Sequence, residues 1–295
     1  MDLKCYREEE IVKKTCIVLS AILLLCFTLT ARSESAFAKD GELKPEELVA
    51  QHLKSLGSPE QLAQVNSRSI AGTATYKIIT GGSGQMPGTV QWVSEKGKMG
   101  IVLRFGSADY PGEHLAYDGK DVMVDWIKTG ARSPLGDFLY RYSGIMKNEL
   151  LGGTFYTGWP LLNLKESGAK IKCKKKSVEN RELYEVEYQP KKSMEDVKVK
   201  MWFDSENFRH VMTEYRLRRS VVGDSMSSKD ETFENIVITE RFDDFKPVDG
   251  ITLPFKYSLS FLFQRASTLQ TVYTLDIEKI VHNVKIDPQF YAAQK

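Results

Sequence analysis

The chain has 295 residues, 42% hydrophobic, 27% charged and 11% aromatic, which excludes a disordered or fibrous polypeptide and permits a sizeable core. Lysine and arginine number 41 against 39 acidic residues, and a net charge of +2 gives no general basis for binding nucleic acid. No nucleic-acid partner is expected.

Residues 1–38 differ in kind from the rest. Lys13 and Lys14 precede an apolar run from Thr15 to Ala31, and Ala36-Phe37-Ala38 supplies small residues around a cleavage point, so residues 1–38 read as a secretory signal peptide. Glu8, Glu9 and Glu10 upstream of the lysines are unusual for such a leader, and the alternative is an uncleaved N-terminal anchor, for which the apolar run is shorter than the roughly 20 residues a spanning helix needs. Cys26 follows Leu25 inside the run, where a lipidation signal wants a small residue before the cysteine. With Cys5, Cys16 and Cys26 in the leader, only Cys173 stays with the mature chain, which therefore stands on its core without an internal disulfide. Residues 39–295 are expected to form a single domain.

Residues 43–66 have helical spacing. Pro45, Glu46 and Glu47 suit a helix N-terminus, Leu48, Val49, Leu53 and Leu56 recur on one side, Gly57 ends the helix, and Ser58-Pro59-Glu60 opens a second. Beyond that the period changes to two, predicting strands at Ser69–Ile79, Gly88–Ser94, Met99–Phe105, Glu113–Tyr117, Val122–Ile127, Ile171–Lys176, Leu183–Gln189, Val197–Phe203, His210–Leu217, Phe233–Phe242, Leu253–Phe263 and Gln270–His282. Turn residues at Glu95–Lys98, Asp118-Gly119, Asp204–Asn207 and Asp249-Gly250 join neighbours as hairpins, and no helical crossovers lie between strands, so the sheet is expected to be an antiparallel meander.

One segment, residues 132–162, breaks this pattern. Leu135, Phe138, Leu139, Tyr142, Ile145 and Met146 recur at three- and four-residue spacing, which predicts one or two short helices and an apolar loop. Gly152, Gly153 and Gly158 are expected to make parts of it pliable, and Leu135, Phe138, Leu139 and Tyr142 mark it as a candidate lid.

The strands are one-sided. Leu253, Phe255, Tyr257, Leu259, Phe261 and Phe263 alternate with polar residues; so do Tyr184, Val186 and Tyr188, and Val197, Val199, Met201 and Phe203. Fully burying the first of these faces contributes at most on the order of 10 kcal/mol. Either a flattened sandwich or a sheet curled around its own apolar face provides the cover. The helix supply is enough for one mouth and too small to coat a flat sheet, so the expected fold is mainly β: a curled antiparallel sheet, an incomplete β-barrel, with a few helices over the open side.

The ending TVYTLDIEKIVHNVKIDPQFY, the hairpin VKMWFDSENFRHVMTEYRL, the pair ERFDDFKPVDGITLPFKYSL and the opening PEELVAQHLKSLGSPEQLAQVNSRSIAG resemble bacterial outer-membrane lipoprotein-sorting proteins, the lipoprotein carrier and receptor superfamily. The resemblance covers roughly 43–295 and is clearest at Val248–Pro254 and Asn283–Phe290. It implies an incomplete barrel with a helical lid, an apolar interior that shields acyl chains, and a Gram-negative periplasm. The insertion at 132–162 and the polar hairpin around Val221–Glu231 depart from the shorter carriers and leave the cargo open.

Signals for catalysis are weak. Gly81-Gly82-Ser83-Gly84-Gln85 fails the nucleophile-elbow pattern at its last position, Ser167-x-x-Lys170 is a common chance spacing, and no histidine pattern is tied to Cys173. His52, His114, His210 and His282 have no metal-ligand spacing and read as surface or satisfied histidines. No enzyme activity, metal or cofactor is expected. The basic run Lys170, Lys172, Lys174, Lys175 and Lys176 reads as a solvated strand face, with anionic lipid headgroups or an acidic partner as the functional alternative.

The expected function is a periplasmic carrier or chaperone that binds lipid or lipoprotein acyl chains in an apolar cavity lined by Tyr184, Val186, Val199, Met201, Phe255, Tyr257, Leu259 and Phe261, with transient contact to membrane or envelope proteins. The alternative is an exported scaffold with a filled core.

Overall fold

The structure, a computed structural model, describes residues 43–125, 132–194, 196–221 and 232–292. They belong to one compact unit, Gly41–Lys295. The expected signal peptide, the end of the strand predicted at Val122–Ile127 and most of the polar hairpin around Val221–Glu231 lie outside the described residues.

Two helices open the unit, α1 (Pro45–Leu56) and α2 (Pro59–Ala63). Each has proline in its first turn, and the Ser58 hydroxyl accepts from the Gln61 amide to cap α2. Twelve strands follow: β1 Ser67–Thr80, β2 Gly84–Glu95, β3 Lys98–Phe105, β4 Gly112–Tyr117, β5 Val122–Asp125, β6 Lys170–Val178, β7 Arg181–Gln189, β8 Lys198–Asp204, β9 His210–Val221, β10 Thr232–Val248, β11 Ile251–Gln264 and β12 Thr268–His282. They form one antiparallel sheet in the order β5-β4-β3-β2-β1-β12-β11-β10-β9-β8-β7-β6, which does not close.

Tight turns set the register. Lys96-Gly97, Glu179-Asn180 and Asp249-Gly250 each place two successive residues at positive φ, the backbone of the hairpin turns whose twist matches that of the strands. The β1–β12 pairing joins the N-terminal and C-terminal halves, and there Gly72 sits at a bulge where an added Cβ would lie 2.1 Å from the Asp276 carbonyl oxygen.

The sheet's two edges, β5 and β6, are consecutive in the sequence. The chain between them contains α3 (Pro134–Arg141), α4 (Gly144–Lys147), 3-10 turns at Gly153–Phe155 and Pro160–Asn163, and α5 (Leu164–Ser167). Ser133 caps α3 by accepting from the Gly136 amide, and Leu135, Phe138 and Leu139 form its buried side. These residues join Leu150, Leu151, Phe155 and Trp159 and the inner faces of β1–β4 and β7–β12 in one core.

The expected pliability of the segment's glycines is corrected by this packing. Gly152 has φ +85° and an added Cβ would fall 2.0 Å from Trp92 Cζ2; Gly153 has φ +51° and would meet His210 Nδ1 at 2.8 Å. They permit close approach of backbone to rings, and so fix the segment where they lie. Gly152→Ala is expected to destabilise the protein by roughly 3 kcal/mol or more, from left-handed strain and overpacking on Trp92. Urea unfolding of the two proteins checks this; a loss below about 1 kcal/mol would contradict the packing described.

Candidate functional site

The inner face of the curled sheet and the segment crossing it form the candidate site. Val186, Val199, Met201, Tyr257, Leu259 and Phe261 are all buried on this inner face. Tyr257 meets Trp92, Phe155 and Phe242 at ring distances of 5.5, 6.0 and 5.4 Å, and Phe261 meets Phe138 of α3 at 6.2 Å. Tyr184 and Phe255 are half-buried at the margin, Tyr184 stacked on Phe208 and Phe255 beneath Lys246 Nζ. Of the candidate lid residues, Leu135, Phe138 and Leu139 are buried against the sheet and Tyr142 is half-buried beside Phe138.

Polar groups inside the core bind one part of the crossing segment firmly. The Glu240 carboxylate on β10 accepts from the Gly152 amide at 2.7 Å, from the Tyr215 hydroxyl at 2.8 Å and from the Tyr257 hydroxyl at 2.7 Å. The buried Arg68 guanidinium donates to the Thr154 carbonyl. Ser94 donates to the Phe155 carbonyl and accepts from the Thr157 amide, both at 3.2 Å. Trp159 stacks on His210 at 4.9 Å and meets the edge of His52 at 5.4 Å. Residues 152–159 are thus held by hydrogen bonds from β1, β2 and β10.

α3 is held differently. Its apolar side faces Phe261, while Glu113 on β4 lies at its N-terminal turn, 3.2 Å from where a Cβ on Gly136 would be. Glu113 accepts from the Tyr110 hydroxyl at 2.7 Å and from that of Tyr273 at 3.4 Å. The contact of α3 with the sheet is apolar along its length and polar at its ends, where the Ser133 hydroxyl bonds the Glu113 carboxyl and Arg219 donates to the Tyr142 hydroxyl at 3.4 Å.

Burial sets the protonation of these groups. Desolvation pushes the Glu240 and Glu113 carboxyls up to about 7, although tyrosine hydroxyls at both sites oppose it. Desolvation lowers Arg68 to about 10 and His52 to about 4, and takes His210 well below its ordinary value, so at neutral pH the arginine is charged and both imidazoles are neutral. His52 bonds the Phe208 carbonyl at 2.8 Å and His210 bonds Thr213 Oγ1 at 2.8 Å, while His52 Nε2 and His210 Nδ1 are buried without a partner, so both are core histidines rather than surface ones and each is paired at one nitrogen.

Strand alternation carries a signal for these groups. Glu240 stands in register with Ile236, Ile238 and Phe242, Glu113 with Leu115 and Tyr117, and Arg68 with Ile70, so each charge occupies an apolar phase. On the outer face, Glu185 is ringed by Lys174 at 3.2 Å, Lys176 at 2.9 Å and Lys200 at 3.3 Å, so the basic run is in part an ion-paired surface. Cys173 is half-buried and packs against the core.

A recess of about 20 Å³ remains between α1, α2, Thr154 and Leu253. A larger one of about 1180 Å³ is lined mainly by outward residues of β6–β9, among them Lys172, Glu187, Lys200, Trp202 and Arg216. Among the described residues no group of three or more metal-ligating side chains is present, and no helix is long and apolar enough to cross a membrane.

No protein-family model matches the chain, and no curated protein matches it. Solved structures with a similar fold include a LolA superfamily protein from Nitrosomonas europaea, at 14% identity and a TM-score of 0.44, covering 85% of this chain and 99% of that one. An outer membrane lipoprotein-sorting protein domain from Vibrio parahaemolyticus matches at 9% identity and a TM-score of 0.40, covering 83% and 95%. The lipoprotein LppX from Mycobacterium tuberculosis matches at 9% and 0.23, covering 81% and 98%.

The buried carboxyls make a pH prediction. Their folded pKa lies above the unfolded value of 4.5, so their stabilising share is complete below about pH 4.5, falls as pH rises and is lost above about 7. The lowered histidines act with the opposite sign, losing stability as pH falls towards 4, so the informative quantity is a difference. Between pH 5 and pH 7.5, Glu240→Gln is expected to gain about 2 kcal/mol on the wild type. Urea melts at both pH values check it; a pH-independent gap would contradict the assignment.

Proposed function

We propose that the protein is a carrier for lipid or lipoprotein acyl chains, which occupy the inner face of the sheet when α3 lifts from it. The observation that supports this reading is the covering of an unclosed, apolar sheet by a two-turn helix whose contact with it is mainly apolar. An acyl chain offers the inner face the same kind of contact and re-covers the sheet side, so the cost of opening is the apolar side of α3 itself, Leu135, Phe138 and Leu139. The segment 152–159 stays in place as a floor, and Val186, Val199, Met201, Leu259 and Phe261 are the lining, with Tyr184 and Phe255 at the margin. In this reading the protein works after export, in the periplasm, and residues 1–38 are removed.

The burial of Leu135, Phe138 and Leu139 against the sheet also favours a second reading, a scaffold of the cell envelope in which α3 is permanent core. The two readings differ in the sign of a mutational effect. In a carrier, binding competence scales with the population of the open state, so loosening the cover tightens apparent affinity. Phe138→Ala is therefore expected to bind a fluorescent fatty-acid probe several-fold more tightly than wild type, and Leu259→Ser more weakly. Titration of the probe against the three proteins decides: no uptake by any of them would overturn the carrier reading.

A further inference from the structure

Three large hydrophobic side chains stand out in solvent among the described residues: Ile79 at 46%, Tyr140 at 47% and Phe233 at 43% exposure. They converge on one end of the molecule. Ile79 is at the tip of β1, where Thr80 pairs with Gln270 next to the β11–β12 turn. Gln264, on the other side of that turn, pairs with Asn235, two residues from Phe233. α3, which carries Tyr140, reaches the same end through Phe138 on Phe261 and through the Tyr142 hydroxyl, which lies 3.4 Å from Arg219. Half-buried Ile78, Leu262 and Leu269 continue the apolar surface between the tips.

Cations surround these side chains. Arg218 lies over the Phe233 ring at 4.6 Å and Arg132 over the Tyr140 ring at 3.7 Å, and Lys77 and Arg265 are exposed on the neighbouring hairpins. Two of the carboxylates at this end are engaged, Asp137 with Arg141 at 2.9 Å and Glu234 with Arg219 at 2.8 Å; Asp109 is a third. Among the described residues positive charge is in excess there.

We infer that this end docks on a membrane surface bearing anionic lipid headgroups. Exposed apolar side chains on β1, β10 and α3 enter the headgroup boundary, while the long cationic side chains beside them stay level with the phosphates. Because the same end is crossed by α3, docking would present the cover to the bilayer; the docking itself is independent of whether the interior takes an acyl chain.

Co-sedimentation with vesicles tests it, using soluble protein from expression of the full chain. Binding to mixed phosphatidylglycerol and phosphatidylcholine vesicles at low salt is expected, with loss at high salt and little binding to phosphatidylcholine alone. The triple variant Ile79→Ser, Tyr140→Ser, Phe233→Ser is expected to bind about tenfold more weakly with an unchanged melting temperature, and Arg218→Glu to weaken binding to the anionic vesicles only. Equal binding to neutral vesicles, no binding to either, or a triple variant that partitions like wild type would overturn the inference. Failure here with intact fatty-acid uptake would leave the carrier reading standing.

Discussion

A twelve-stranded antiparallel sheet that does not close has two edges, and here the edge strands β5 and β6 follow one another in the chain. Every other sequential connection is between neighbours in the sheet, so the segment between β5 and β6 must travel from one edge to the other. The apolar inner faces on both sides of the β1–β12 seam give it a reason to travel across the concave side. Its apolar residues and the inner face then bury each other, and the placement of α3, Trp159 and the glycines at 152–153 follows from that one crossing.

Within the crossing, two kinds of contact divide the labour. Residues 152–159 donate to Glu240 and accept from Arg68 and Ser94, all deep in the core, where leaving a partner unpaired costs about 1–3 kcal/mol or more. That part cannot leave without exposing buried charges. α3 has mostly apolar contacts, which an acyl chain can replace, and lifting it gives up only the hydrogen bonds at its two ends, Ser133 with Glu113 and Arg219 with Tyr142. A floor that is pinned and a cover that is greasy are the physical basis of the carrier reading.

The strands and tight turns were readable from sequence because alternation and turn chemistry are local. The strand expected at Ser69–Ile79 forms as Ser67–Thr80, and Asp249-Gly250 turns the chain as its residue types require. What was not readable depends on residues far apart. Glycines 152 and 153 look like flexible punctuation until Trp92 and His210 arrive from other strands to fill the space beside them. Alternation shows that Glu240 and Glu113 fall on the apolar phase of their strands, but not the partners that make their burial tolerable, which include a tyrosine 160 positions away. Tyr184 and Phe255 obey the same alternation as their buried neighbours but sit where the curl ends, and a curl has no local signature.

The central claim is that the inner face exchanges α3 for an acyl chain. Native mass spectrometry, followed by solvent extraction, of protein recovered without detergent from a bacterial periplasm tests it most directly. The account predicts a fraction carrying one lipid or acylated peptide, which the extract then identifies. A protein that is entirely free of ligand, and stays so after incubation with fatty acid, would contradict it and make α3 a permanent part of the core.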